Sequence, residues 1–284
     1  MLPALHVAAS SVLKNVHSQV TPHFYMALEG FSDADIETLH GTLDKLGRSY
    51  KFTRLMPPDL NTSELASLHG SHTTYWRLLL PRLIDEDRLL YIDTDTLTTI
   101  DLGELLSFDL QGNPLAANLH GQAHTALDGK FLLQHGVPPM NPLFNAGVLL
   151  IDVREWNRRK ITEQCLSFCQ KYGAELPSHD QTVLNIVLCG STATLPLKFN
   201  HLISPDTRYE QLDPCVMHFV ASPKPWDLFS GLIHPYAKMY RRELRGTMIW
   251  SAHKKRYLEL SNYRRVRKIF RGYARTFANR YFRS

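Results

Sequence analysis

The strongest local signal for chemistry in the sequence is a pair of aspartates, Asp93 and Asp95, which follow the apolar run RLLYI. Residues i and i+2 of a strand point to the same side, and a turn at the strand end brings both carboxylates within reach of one hard divalent cation. Such a cation would hold a diphosphate and stabilise it as a leaving group. The triplet alone is weak evidence, because a strand-terminal aspartate that caps the next turn gives the same pattern.

The same segment, LLYIDTDTLT, also fits the hhhhDxDxT motif of haloacid-dehalogenase-like phosphatases. In that interpretation Asp93 would be a nucleophile that attacks a phosphate. Those enzymes need a later acidic pair for Mg²⁺, and the second half of the sequence has no such motif. Phosphatase chemistry is therefore the second hypothesis.

An alternation of strands and helices must position these residues. Apolar runs predict strands at 23–28, 51–55, 88–93, 147–153 and 216–220. Helical periodicity predicts helices at 3–14, 33–46, 75–84, 154–172 and 180–188. This alternation favours an α/β fold with a largely parallel sheet, in which ligands bind at the carboxyl ends of strands. Asp93 and Asp95 stand at such an end.

The composition is that of a globular protein. The chain has 284 residues, of which 44% are hydrophobic and 21% charged, and this excludes the disordered and fibrous classes. No run of 18 apolar residues occurs, so no transmembrane helix is expected. The N-terminus lacks the charged start and long apolar core of a signal peptide, so no secretory leader is expected.

The net charge is distributed unevenly. Residues 254–284 carry eleven Lys and Arg against one acid, Glu259, whereas the rest of the chain has a net charge of −5. From Tyr263 onward, apolar residues recur at steps of three and four, which predicts a basic amphipathic helix with an aromatic stripe. Such helices are typical of proteins that lie on an anionic membrane. The alternative is a helix packed on the body by its stripe. No nucleic-acid partner is expected, because no recognised binding module accompanies the tail.

Four further segments follow the aspartate pair in a fixed order: FNAGVLLIDVREW at 144–156, HDQTVLN at 179–185, LPLKFN at 195–200 and MHFVASPKPW at 217–226. With this set the chain resembles glycosyltransferase family 8, whose bacterial members include lipopolysaccharide and lipooligosaccharide hexosyltransferases. The resemblance runs from Leu2 to Trp226. It implies an α/β GT-A domain over residues 1–250, with a Rossmann-like mixed sheet flanked by helices, and a basic membrane-association tail over 251–284.

The resemblance also implies an activity. Family members transfer a hexose, galactose or glucose, from a UDP-sugar to a glycan acceptor such as lipopolysaccharide, with retention at the anomeric carbon. The implied cofactor is Mn²⁺, with Mg²⁺ as the alternative ion. The enzyme would be a peripheral protein on the cytoplasmic face of the cell membrane. Double displacement needs a carboxylate nucleophile, and Gln181 is an amide, so front-face attack is favoured while both routes stay open.

Site residues are implied position by position. Asp93, Asp95 and His218 match the metal ligands. Asp180 and Gln181 match the pair nearest the anomeric carbon. The remaining matches bind the donor: Arg77, Thr94, Asn145, Ala146, Ala221, Lys224 and, more weakly, His69.

Structural alternatives exist for several of these residues. His218 lies between apolar neighbours and could be a core histidine. Arg77 could be a charge on a helix surface, Lys224 a solvated loop lysine, and Asp180 a helix cap.

Two departures from the family pattern affect these expectations. The family's glycine in its HxxG motif is Ala221 here. The family's first strand, which ends in an acidic D-x-N-Y motif, has no match. We therefore expect either a start downstream of the natural one or altered nucleoside recognition. A catalytically inactive relative that binds nucleotide sugars is the third hypothesis.

Overall fold

The computed structural model describes residues 2–55, 75–253 and 263–282. In this part of the chain the helices are α1 (Leu2–Asn15), α2 (Asp33–Asp44), α3 (Trp76–Leu83), α4 (Gly129–Gln134), α5 (Val153–Arg158), α6 (Ile161–Tyr172), α7 (His179–Val187), α8 (Ala237–Arg245), α9 (Trp250–His253) and α10 (Tyr263–Phe282). The strands are β1 (His23–Ala27), β2 (Lys51–Leu55), β3 (Arg88–Ile92), β4 (Thr96–Thr98), β5 (Leu115–Gln122), β6 (Pro142–Asp152), β7 (Thr192–Thr194), β8 (His201–Ile203) and β9 (Val216–Phe219).

The strands form three sheets, with orders β3-β6-β5-β7, β4-β9-β8 and β1-β2. The pairs β1–β2, β5–β7 and β8–β9 are parallel, and β3–β6, β5–β6 and β4–β9 are antiparallel. The prediction of a largely parallel sheet is therefore wrong, and the mixed sheet is confirmed. Strand–helix alternation does not determine strand direction here, because β6 returns antiparallel between β3 and β5.

Strand β6 is the centre of the core. Leu149 and Ile151 face a cluster that includes Cys165 of α6 and Leu184 of α7, while Val148 packs in a second cluster on the opposite face. Both faces of the strand are covered, which explains why GVLLI reads as a continuous apolar run rather than an alternating one. Full burial of each such side chain contributes about 1.5–3 kcal/mol.

The predicted helix over 154–172 is two helices. Lys160 separates α5 from α6 and adopts the left-handed conformation with φ 56°. The predicted start of α2 is confirmed. The Ser32 hydroxyl accepts from the Asp35 backbone N–H and the Asp35 carboxylate accepts from the Ser32 N–H, a capping box.

The β1–β2 pair forms no ladder with the larger sheet among the described residues. Both sheets nevertheless pack on α3, where Trp76 and Leu80 lie in one cluster with Tyr25 of β1 and Leu89 of β3. The expectation about the family's first strand stays a prediction.

In the described part of the chain, no helix combines the length and apolarity that a membrane span requires. Helix α10 covers 20 residues of the basic tail, and residues 254–262 lie outside the described residues. Its Ile269 is buried, whereas Phe270 and Phe277 are half exposed. The aromatic stripe is therefore divided between the protein body and the surface.

Candidate active site

The two aspartates lie in a turn that joins β3 to β4. The Asp93 backbone N–H donates to Gly147 O at 2.7 Å, and the Thr96 hydroxyl donates to Asp93 O at 2.9 Å. Strand β4 then pairs with β9, and this register places Thr96 opposite His218. The histidine, 123 positions after Asp95 in the sequence, thus arrives beside the two carboxylates by strand pairing.

Asp93, Asp95 and His218 form a cluster that could hold a metal ion, with one ligand atom from each residue lying within 4.8 Å of the others. His218 Nε2 is 3.3 Å from Asp95 Oδ1 and 3.9 Å from Asp93 Oδ2. Burial opposes ionisation of Asp95, but its hydrogen bond with His218 and the nearby Lys224 ammonium hold its pKa well below the usual range. Asp95 is therefore a carboxylate at neutral pH, the form that binds cations.

The neighbours of His218 determine which of its two ring nitrogens would bind a metal ion. Asn200 donates through its amide nitrogen to Asn145 Oδ1 at 3.1 Å, which turns Asn200 Oδ1 towards His218 Nδ1 at 3.0 Å. His218 Nδ1 therefore carries a proton, which leaves Nε2, the nitrogen that faces the aspartates, as the one that would bind a metal ion. This is the arrangement of a metal-binding histidine oriented by an outer partner.

Two carboxylates and one imidazole suit Mn²⁺, so the residues present fit the implied ion. His218 is buried, but its polar edge contacts carboxylates, so it is not an apolar core residue. A Cβ at position 147 would overlap the His218 ring. Gly147 thus allows the His218 ring to lie close against the β6 backbone.

Arg77, from α3, connects three parts of the site. Its guanidinium donates to Ala146 O at 2.6 Å and to Asp93 Oδ1 at 2.9 Å, and its Nε lies 2.8 Å from Asp180 Oδ2. The side chain is 11% exposed, so the interpretation as a helix-surface charge is wrong. Burial opposes the charge, but Asp93 and its other anionic neighbours raise the pKa of Arg77, and it stays cationic.

Tyr91 was not predicted as a site residue. Its hydroxyl donates to Asp93 Oδ1 at 2.5 Å, and its ring lies beneath the Arg77 guanidinium, 4.6 Å from centroid to carbon. Tyr91 and Arg77 both donate to Asp93 Oδ1, so the other carboxylate oxygen, Oδ2, is the one that faces His218. The available signal was position, because Tyr91 precedes Asp93 by two residues and shares its face of the strand.

Gln181 is held from β6. Its Oε1 accepts from the Asn145 side-chain amide and from the Ala146 backbone N–H, both at 3.0 Å. A backbone N–H can only donate, so the atom that faces it is the amide oxygen. Hydrogen bonds therefore run from His218 through Asn200 and Asn145 to Gln181. Asn200 was not predicted as a site residue, although it closes the LPLKFN segment.

Asp180 lies beside Gln181 in the first turn of α7 and is 5% exposed. The residue at the N-cap position is Ser178, so Asp180 is not the cap residue itself, and its carboxylate pairs with Arg77. Burial raises the pKa of Asp180, although Arg77 opposes the shift.

Lys224 reaches the metal-ligand cluster from the loop after β9. Its ammonium lies 2.8 Å from Asp95 Oδ2 and also donates to Phe219 O. The side chain is 23% exposed, so it is not a freely solvated loop lysine.

The remaining predicted residues have the following places. Ala221 has φ 60°, so alanine adopts here the left-handed conformation that glycine favours. Thr94 is half-buried in the turn between the aspartates. His69 lies outside the described residues.

Known proteins resemble this chain in sequence and fold. General stress protein A of Bacillus subtilis is 28% identical over 251 residues, which cover 81% of this chain and 84% of that protein. Lipopolysaccharide 1,2-glucosyltransferase of Escherichia coli is 27% identical over 254 residues, 82% of this chain and 70% of that protein. The crystal structure of galactosyltransferase LgtC with donor and acceptor sugar analogs superposes with a TM-score of 0.71 at 25% identity, covering 87% of this chain and 92% of that chain.

Several streptococcal glycosyltransferases also match but are longer, and the chain spans only 27–40% of their length. The family model for glycosyl transferase family 8 matches residues 1–229, which is most of the chain. Together with the mixed α/β architecture shared with LgtC, this match establishes that the chain belongs to glycosyl transferase family 8 and has the GT-A fold.

Proposed function

We propose that this protein transfers galactose or glucose from a UDP-sugar to a glycan acceptor, such as a sugar of lipopolysaccharide, with retention at the anomeric carbon. The observation that carries the proposal is the convergence of Asp93, Asp95 and His218 with Lys224 and Arg77 around the β3–β4 turn. Two relatives support the substrate classes: one is a lipopolysaccharide glucosyltransferase, and LgtC was crystallised with donor and acceptor sugar analogs.

Asp93, Asp95 and His218 would hold Mn²⁺, or Mg²⁺ in its place. When bound, the ion would offset the negative charge of the donor diphosphate. Lys224 would add a second positive charge on the same diphosphate as it leaves. Its present partner is Asp95, so its flexible side chain already lies at the edge of the metal-ligand cluster. The backbone N–H of Ala221 would donate to a phosphate oxygen.

Asp180 and Arg77 would orient the hexose, and Thr94 would contact the ribose. Gln181 Oε1 already accepts two hydrogen bonds from β6, which argues against its use as a nucleophile. We favour front-face attack. The acceptor oxygen bonds to the anomeric carbon as the bond to the donor phosphate breaks, and the acceptor proton passes to the departing phosphate oxygen. Asp180, Gln181 and the β6 residues Asn145 and Ala146 keep the sugar in place during this exchange.

The basic tail would bring the enzyme to a lipid-borne acceptor on the inner face of the cell membrane. The exposed side chains of α10 include the aromatic Phe270 and Phe277 and the basic Arg267 and Arg271. Deletion of residues 254–284 would then release the protein from vesicles that contain anionic phospholipid. Unchanged sedimentation with those vesicles contradicts this part of the proposal.

Thermal melting with UDP, with and without Mn²⁺, tests the donor site. A ligand at 100 times its dissociation constant adds about 2.7 kcal/mol, a rise in Tm of about 5 °C for a chain of this size. We expect a Mn²⁺-dependent rise in the wild type and in Asp213→Ala, an exposed control, and none in Asp95→Ala. The absence of a rise in the wild type contradicts the proposed donor site.

A screen of UDP-hexoses then separates the alternatives. Hexose transfer or donor hydrolysis supports the enzyme, whereas UDP binding without turnover of any donor identifies an inactive relative. The phosphatase alternative predicts trapping of an acyl-phosphate analogue on Asp93 and no dependence on UDP. It has less support, because the candidate metal cluster among the described residues pairs Asp93 and Asp95 with His218 rather than with a later acidic pair, and the family is a glycosyltransferase family.

A further inference from the structure

Helix α10 packs directly on the loop that carries Lys224. Gly272 is buried, and a Cβ at this position would lie 2.9 Å from Ser222 O and 3.1 Å from the Pro223 nitrogen. Real side chains essentially never make contacts closer than 3.0 Å, so only glycine lets the helix backbone come this near. Glycine inside a helix is less stable than alanine by roughly 0.5–1 kcal/mol. The close contact with the loop is the structural reason for a glycine at position 272.

Hydrogen bonds from α10 reach both ends of the same loop. Arg275 Nη2 donates to Ser222 O at 3.1 Å, and the Tyr273 hydroxyl donates to Leu228 O. Burial raises the pKa of Tyr273, which keeps the hydroxyl protonated as a donor. Ile269 and Thr276, one turn to either side, are 3% and 1% exposed. The inner face of α10 is thus buried against the protein body from Ile269 to Thr276.

The loop itself needs such support. Ala221 and Phe229, which flank residues 222–228, both adopt left-handed conformations, with φ 60° and 61°. Non-glycine residues persist in this region only where the surrounding structure holds them. Inside the loop, the Lys224 backbone N–H donates to Asp227 Oδ2 at 2.8 Å, and its side chain extends to Asp95.

We propose that α10 is a positioning element of the donor site, which holds both ends of the 222–228 loop so that Lys224 faces the donor diphosphate. This inference rests on the proposed function of Lys224 and is separate from membrane association. The helix then has two roles on two faces. Its inner face holds the 222–228 loop, and its outer face presents Phe270 and Phe277.

Two variants and two matched controls of the full-length protein test this role. Gly272→Val places a side chain against the Ser222–Pro223 backbone, and Arg275→Ala removes the hydrogen bond to Ser222 O. The controls change the exposed side of the same helix: Ala274→Val introduces the same side chain and Arg271→Ala removes the same charge.

The first readout is titration calorimetry with UDP in the presence of Mn²⁺. We expect both inner-face variants to bind UDP about tenfold more weakly, as loss of one charge-assisted contact predicts, and both controls to bind like the wild type. Mn²⁺ affinity measured alone should not fall, because Asp93, Asp95 and His218 stay in place. If the enzyme is active, KM for the donor rises more than kcat falls.

The second readout is hydrogen exchange of the amides of residues 222–230, which needs no donor. Faster exchange in the inner-face variants, but not in the controls, supports the contact. Unchanged exchange overturns the inference, and so does faster exchange with unchanged UDP affinity. Failure of the wild type to bind UDP contradicts the proposed function and, with it, the assigned role of Lys224.

Discussion

The candidate metal site around Asp93, Asp95 and His218 and the C-terminal helix are held in place in opposite ways. At this site, charged and amide side chains contact one another, and Arg77 alone contacts groups on β6, α7 and the β3–β4 turn. Helix α10 instead rests on one glycine, a few buried side chains and hydrogen bonds to loop carbonyls. One region is held by charge pairing and the other by close packing.

This difference determines how each region responds to substitution. Removal of a charged partner at the candidate metal site leaves another buried charge without compensation, which lowers the free energy of unfolding strongly. Removal of a contact on α10 releases a segment that can stay solvated, so the effect is smaller and appears mainly in the loop that the helix supports. Three substitutions test the comparison, in decreasing order of expected effect.

Arg77→Met should have the largest effect. It leaves Asp180, which is 5% exposed, without its cation, and the loss of one partner of a buried pair lowers the free energy of unfolding by about 3–5 kcal/mol. The control is Arg82→Met on the same helix, where an exposed pair with Glu163 contributes at most about 1 kcal/mol. Urea denaturation at pH 7 measures both. Equal losses of unfolding free energy in the two variants would contradict the distinction between the buried and the exposed ion pair.

The loss of stability in Arg77→Met should depend on pH because the Asp180 carboxyl titrates. Burial raises the pKa of this carboxyl in the folded state, and removal of Arg77 raises it further. The folded variant therefore binds a proton that the unfolded chain, with a pKa of about 3.9, does not bind at the same pH. The stability deficit of Arg77→Met should be greatest at neutral pH and should shrink as the pH falls through the raised value. A deficit that does not change with pH contradicts this explanation.

Asn200→Ala should have the next largest effect. The substitution removes the acceptor that holds the proton on His218 Nδ1, and loss of such an outer partner lowers metal affinity by about 10–100-fold. Mn²⁺ titration followed by electron paramagnetic resonance measures the change directly. Asn113→Ala, which removes an amide bonded within its own turn, is the control. If Asn200→Ala binds Mn²⁺ like the wild type, the His218 ring is oriented by packing rather than by this hydrogen bond.

Part of this site could be predicted from the sequence because some residues carry their chemistry in their type. Two carboxylates after a buried strand and a later histidine are recognisable ligands, and the structure places Asp93, Asp95 and His218 together. Tyr91 and Asn200 could not be recognised in the same way. Their roles exist only through partners that folding supplies: Tyr91 acts on Asp93 Oδ1, and Asn200 acts on a ring 18 residues away.

The fold could be predicted to a similar extent. Apolar runs located β1, β2, β3, β6 and β9 but not β5, whose sequence LAANLHGQ is interrupted by polar residues. Strand direction depends on tertiary pairing, and β6 runs antiparallel to both of its neighbours. The tail pattern predicted a helix and an aromatic stripe. It could not distinguish Tyr273, which donates to the 222–228 loop, from Phe277, which is half exposed, because both lie on that stripe.

Ala221→Gly should have the smallest effect, and it tests the loop at the point where the two regions meet. Relief of the left-handed conformation contributes roughly 1–2 kcal/mol, and the greater freedom of glycine in the unfolded chain offsets about 0.4–1 kcal/mol of it. Scanning calorimetry should therefore show a gain of about 0.5 kcal/mol. Gln111→Gly, at φ 53° in an exposed turn, should gain a similar amount.

The UDP affinity of Ala221→Gly tests whether α10 holds the 222–228 loop in place. If the helix holds the loop from outside, added freedom at residue 221 leaves Lys224 in place, and UDP binds as to the wild type. When Gly272→Val is added, the loop loses that support, and the same glycine should now weaken UDP binding beyond the effect of Gly272→Val alone. An effect of Ala221→Gly that is equal in both backgrounds would mean that the loop keeps its shape by itself and that α10 only rests on it.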